Sequence, residues 1–134
     1  MHRVRNLVAG IVTASAVATA LSCGGSSSST SPSGPCTPSS SPTTFVIMNN
    51  QVCPQSLTVA RGTLVTFTNQ DSEVHEMDSD PHPEHTDCVE INQVDFLNPG
   101  QSRPTGNLNI ARRCGFHDHR NPDRAALKGT IVIQ

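Results

Sequence analysis

The sequence predicts an all-β sandwich of about ninety residues, preceded by a disordered tether. Three observations lead there. Apolar and polar residues alternate in Ser56-Leu57-Thr58-Val59-Ala60 and in Thr63-Leu64-Val65-Thr66-Phe67-Thr68-Asn69, the pattern of strands with one face in a core. Turn signals punctuate the chain roughly every eight to twelve residues, as in small sandwiches. No long stretch carries the periodicity of an amphipathic helix, and no segment repeats.

Residues 1–22 begin with Arg3 and Arg5 and continue into an uncharged apolar run from Leu7 to Leu21. Such a run is too short to span a bilayer comfortably and reads as a secretory signal peptide. Ala20-Leu21-Ser22-Cys23 resembles the bacterial lipoprotein cleavage box. That resemblance implies that Cys23 is the lipidated first residue of the mature chain, anchored in a membrane of the cell envelope on its periplasmic or extracellular side. Residues 23–43 are rich in Ser, Thr, Pro and Gly, and bury too little apolar surface to offset their ordering entropy. They form the lipidated tether. Residues 44–134 are the folding unit.

Removal of the signal takes two of the nine basic residues with it, leaving seven against eleven acidic ones. A mildly acidic chain without a basic stripe is a poor ligand for nucleic acid, which demands clustered Lys and Arg. With no Trp, no Tyr and four Phe, the core must rely on Val, Ile and Leu, and on crosslinks. Cys36, Cys53, Cys88 and Cys114 are the disulfide candidates in an oxidising compartment, and the sequence alone does not choose among their pairings.

Within the folding unit, Thr44-Phe45-Val46-Ile47-Met48 reads as a first strand that ends in the turn Asn49-Asn50-Gln51. The alternating runs at 56–60 and 63–69 flank Arg61-Gly62 closely enough to suggest a hairpin. From Gln70 to Asn98 the pattern dissolves into acids, prolines and histidines, and a long loop is expected. Asn107 to Cys114 reads as a strand, and Leu127-Lys128-Gly129-Thr130-Ile131-Val132-Ile133 as the last one.

The chemistry concentrates in Cys114-Gly115-Phe116-His117-Asp118-His119-Arg120-Asn121-Pro122, a thiol, two imidazoles, a carboxylate and an amide within nine residues. His117 and His119 stand two apart, so on a strand they share a face while Asp118 points away. His75 precedes this motif by some forty residues, and His82-Pro83-Glu84-His85 forms a second cluster. Imidazole is the commonest metal ligand, and five histidines in so small a domain point to a metal site. Asp71, Glu73, Asp78 and Asp80 lack the glycine and terminal glutamate of a calcium loop. No nucleophile and base arrangement is legible, which argues against an enzyme.

Val65-Thr66-Phe67-Thr68-Asn69, His75 six residues later, Pro99-Gly100, the His-rich strand end, and Leu127-x-Gly129-Thr130-Ile131-Val132 together resemble the cupredoxin family, the plastocyanin and azurin group of copper proteins. The resemblance covers essentially the whole folding unit. It implies a Greek-key sandwich of seven or eight strands with copper at one end, His75 as one ligand, and the others on the loop before the last strand. Two alignments of that loop remain open. One pairs Cys114 with His117, which with His75 makes a blue-copper set. The other anchors on Leu127-x-Gly129 and places Asp118 where the family has cysteine and Asn121 where it has histidine. The second alignment fits the loop length and removes the thiolate.

The metal candidates are therefore His75, His117, His119, Asp118 and, if it is not in a disulfide, Cys114, with His82 and His85 as secondary candidates. Copper is the expected ion, and a histidine-only site would also take zinc. Under the second alignment Cys114 is available to bridge Cys88 and pin the acidic loop over the site, while Cys36 with Cys53 would tie down the end of the tether. The function so implied is electron transfer or copper handling at the cell envelope by a monomer, with a redox or copper-transfer protein as partner. The alternative is a metal-free, disulfide-crosslinked sandwich that acts as a binding module.

Overall fold

A computed structural model describes residues 37–134; the signal peptide, Cys23 and Cys36 lie outside the described residues. Among the described residues nine short strands, where the resemblance implies seven or eight, build two mixed sheets in the expected Greek-key sandwich. The strands are β1 (Thr44–Met48), β2 (Gln51–Cys53), β3 (Ser56–Val59), β4 (Thr66–Asn69), β5 (His75–Ser79), β6 (Asp95–Leu97), β7 (Ser102–Pro104), β8 (Arg113–Asp118) and β9 (Lys128–Ile133). One sheet runs β2-β1-β4-β7 and the other β3-β9-β8-β5-β6.

The first strand and its turn form as expected. Asn49 and Asn50 both take left-handed backbone angles, the pair that a tight two-residue hairpin turn demands and that asparagine tolerates. The turn returns the chain as β2, antiparallel to β1. Both amides of the turn donate to the carboxylate of Asp71, at 2.8 and 2.7 Å, so the turn is tied to the end of the sandwich where His75 lies.

Three expectations need correction. The runs at 56–60 and 63–69 are not a hairpin: β3 pairs in parallel with β9, and β4 in parallel with β1 in the opposite sheet. Gly62, at φ +81°, turns the chain from one layer to the other, so Val59 and Phe67 meet the core from opposite sides. The stretch 70–98 is not one long loop, because it contains β5, β6 and a 3-10 turn at Ile91–Gln93. The third concerns residues 107–114, which do not pair as one strand. Leu108 alone bridges to Thr63 and enters the core, Ile110 is exposed, and the strand begins at Arg113.

The core is centred on three rings. Phe45 and Phe67 from one sheet meet Phe116 from the other with centroids 4.8 to 5.0 Å apart, in tilted and edge-on contacts worth something beyond burial alone. Gly129 lies opposite Phe116 in the β8–β9 ladder, and a Cβ there would run into the Phe116 ring and the Gln55 carbonyl. Gly129→Ala is expected to cost about 1–3 kcal/mol of unfolding free energy through overpacking, read as a lowered urea midpoint with unchanged slope.

Cys88 and Cys114 form a disulfide across 26 residues, a closure worth about 3 kcal/mol on chain-entropy grounds. Cys53 is also disulfide-bonded; Cys36, its expected partner, lies outside the described residues.

Candidate metal centre

Strand parity divides the histidines. On β8, Phe116 and Asp118 face the core while Gly115, His117 and the following His119 face the other way. The register of β5 against β8 sets Met77 beside Asp118 and Asp78 beside His117. His75 and Met77 thus belong to the inner side, and Asp78 belongs with His117 and His119.

On the inner side, His75 is fully buried between two carboxylates. Its Nδ1 lies 3.0 Å from Asp118 Oδ2 and its Nε2 3.2 Å from Asp71 Oδ2. Asp118 is the hub, accepting also from Asn121 Nδ2 at 2.9 Å and from the backbone amides of Glu76 and Arg120 at 3.1 Å each. Burial alone pulls the imidazole toward its neutral form, but the hydrogen bonds and charges of Asp118 and then Asp71 outweigh it, and the His75 pKa is raised. Burial likewise opposes ionisation of Asp118, yet its bonds from His75, Asn121 and the two amides lower its pKa. Both shifts run in the direction that favours an imidazolium–carboxylate pair.

On the outer side, four imidazoles converge. His82, His85, His117 and His119 each offer a ring nitrogen, and these atoms lie within 4.8 Å of one another. His119 Nδ1 faces His85 Nε2 at 3.1 Å. Two nitrogens bound on opposite sides of one ion stand about 4 Å apart, so closing this cluster asks for a fraction of an ångström from each ring.

Asp80 orients one ring of the cluster from behind, and Asp78 lies close to two others. Asp80 Oδ1 receives His117 Nδ1 at 2.7 Å, which turns Nε2 of that ring inward, and this Nε2 is buried without a hydrogen-bond partner. Gly115 makes room for Asp80, since a Cβ there would collide with the Asp80 carboxylate. Asp78 Oδ2 lies 3.7 Å from Nδ1 of both His85 and His119. The two carboxylates add negative charge beside the four imidazoles, which favours a cation there. The backbone holds the rings in place: His119 N donates to Glu76 O at 2.7 Å, and Asn92 Nδ2 donates to His85 O at 2.9 Å. His85 itself sits at φ +52°, a left-handed position unusual for a residue with a Cβ and of the kind that collects at functional sites.

Of the residues expected from sequence to act together, His117 and His119 are joined by His82 and His85, the two expected to form a separate site. His75 and Asp118 do not reach them, because β5 and β8 carry these two side chains on the other face of the sheet. Cys114 is no thiolate ligand here, since its sulfur is bonded to Cys88. Asp78 and Asp80, weighed in the sequence only against a calcium loop, are the carboxylates beside the cluster. Their spacing of two, ahead of His82 and His85, is the signal that carries them.

Copper has two candidate positions in this fold. Asp118 meets His75 and Asn121 bonds to Asp118, where the second alignment puts them, but their donors and acceptors satisfy one another and Leu127 is a buried hydrocarbon. That position does not fit the ion. The four-imidazole cluster does, through the unpartnered Nε2 of His117 and the facing nitrogens of His85 and His119.

Replacing Asp80 with alanine frees the His117 ring to rotate and is expected to weaken metal binding about 10- to 100-fold, measured by chelator competition. Unchanged affinity would show that the ring is held by other contacts.

No family model and no curated protein sequence matches the chain. Solved structures do. A purple cupredoxin from Nitrosopumilus maritimus superposes with a TM-score of 0.54 at 18% identity, over 68% of this chain and 98% of the other. Plastocyanin from Dryopteris crassirhizoma gives 0.53 at 21%, over 68% and 99%. An amicyanin variant in its Cu(I) form gives 0.54 at 15%, over 68% and 80%. The chain therefore has a cupredoxin-like fold.

Proposed function

We propose that this domain binds copper(II) through His82, His85, His117 and His119, and that it serves copper handling at the cell envelope rather than fast electron carriage. The observation that carries this reading is the convergence of four imidazoles on one point, with the buried Nε2 of His117 aimed into it. The cupredoxin-like fold adds support, since one of the proteins it resembles is a copper form.

These four histidines would hold copper(II) through nitrogen alone, and the domain would bind or pass on the metal without the thiolate bond that gives blue sites their colour. The chain's own contribution is to hold the rings close together and to aim that of His117. Asp80 accepts from His117, and Asp78 lies in reach of His85 and His119. His82 is exposed and His119 half-buried, so the outer side of the cluster is open to a donor or acceptor of metal, such as a copper-transfer protein. The lipid anchor at Cys23, in this reading, keeps the domain at the membrane.

Titration of the purified domain with copper(II), followed by electron paramagnetic resonance and visible absorption, tests the proposal. One ion per chain with nitrogen hyperfine structure and weak colour is expected. Intense colour would require a thiolate and overturn the ligand set, and no uptake would leave a crosslinked binding module. Competition with zinc decides which ion the imidazoles prefer.

A further inference from the structure

The two segments that carry the four imidazoles are joined by one covalent bond. Cys88 follows His85 by three residues, and Cys114 precedes His117 by three. The chain leaves β5 at Ser79, opposite Phe116 of β8, and is bonded back to the same strand at Cys114. Residues 80–88 and 114–116 thus form a closed ring that bears His82 and His85. Nothing within 80–90 pairs as a strand.

We propose, resting on the copper reading above, that the Cys88–Cys114 bond is the assembly step of the metal centre: thiol oxidation must precede metal loading. The chemistry is disulfide exchange. The two thiols give up two protons and two electrons to a partner disulfide, which leaves as two thiols, and one new sulfur–sulfur bond forms. The oxidant is any disulfide of the envelope compartment.

The physical ground is preorganisation. A site drawing two ligands from a loop and two from a strand must bear the entropy of bringing them together when metal arrives, unless something has already done so. Hydrogen bonds also fasten the loop: Asp80 N to Gly115 O at 3.0 Å, Asp87 N to Asp80 O at 2.8 Å, and Gly115 N to Asp87 Oδ2 at 3.1 Å. The last of these is exposed to competition from water. The disulfide is not, because both cysteines are fully buried. Burial also shields the bond from reductants once it has formed, so the step is an ordering of events rather than a reversible switch.

The test is copper(II) affinity, by chelator competition, of the oxidised native chain and of Cys88→Ala/Cys114→Ala, which has no thiol at these positions to compete for the ion. Far-ultraviolet circular dichroism checks the fold. Affinity lower by about tenfold or more in a folded double variant is expected. Equal affinity would overturn the proposal and leave copper binding intact. A second variant, Cys88→Val/Cys114→Ala, refills buried volume and carries the same expectation if the alanine pair does not fold. Failure of the oxidised native chain to bind copper would remove the metal reading itself, and this inference with it.

Discussion

Alanine in place of His117 is expected to abolish tight copper(II) uptake, lowering affinity by more than about a hundredfold, while alanine in place of His75 leaves uptake at one ion per chain. His117 is the buried member of the cluster, and Asp80 already orients its ring. Loss of a supporting carboxylate alone costs about 10- to 100-fold in such sites, so loss of the nitrogen it supports costs more. His75 lies on the other face of the sheet with both ring nitrogens engaged by carboxylates, and its removal takes no donor from the cluster. The assay is equilibrium competition against a chelator, with the fold of each variant checked by circular dichroism. Copper loss in the His75 variant and retention in the His117 variant would return the site to the position that the cupredoxin resemblance implies.

This contrast shows where sequence reasoning stopped. Thr44–Met48 and Lys128–Ile133 were legible because apolar and β-branched residues mark them locally. His75–Ser79 was hidden, since three of its five residues are His, Glu and Asp, and their burial depends on partners from other strands. The parallel pairing of β3 with β9 joins residues more than seventy positions apart, and no local pattern reports it. Parity did separate Asp118 from His117 and His119. What parity lacked was the register of β5 on β8 and the crosslink at Cys114, which together lay His82 and His85 over the outer face of that strand. The family pattern drew attention to His75. In this chain Asp118 and Asp71 meet both of its ring nitrogens with carboxylates, at the position where the resemblance implies an ion.

Those buried carboxylate contacts make a second large effect, on stability and its pH dependence. Asp118→Ala is expected to cost about 3–5 kcal/mol of unfolding free energy, because it leaves the buried His75 charge facing Asp71 alone and strips the acceptor from Asn121 and two backbone amides. His75→Gln keeps a polar group against Asp118, whose other three donors remain, and is expected to cost less. The sign with pH follows from the two shifts. His75 has its folded pKa raised above 6.5, so its contribution is complete below 6.5 and is lost as pH rises through the raised value. Asp118 has its folded pKa lowered below 3.8, so its contribution is complete above 3.8 and is lost as pH falls through the lowered value. The pair therefore stabilises the fold most between 3.8 and 6.5. Urea unfolding of the apo domain at a series of pH values should show native stability declining on the alkaline side of that window, and His75→Gln should flatten the decline. An identical alkaline slope in both proteins would mean that His75 is neutral in the fold, and the ion pair would have to be redrawn as a neutral hydrogen bond.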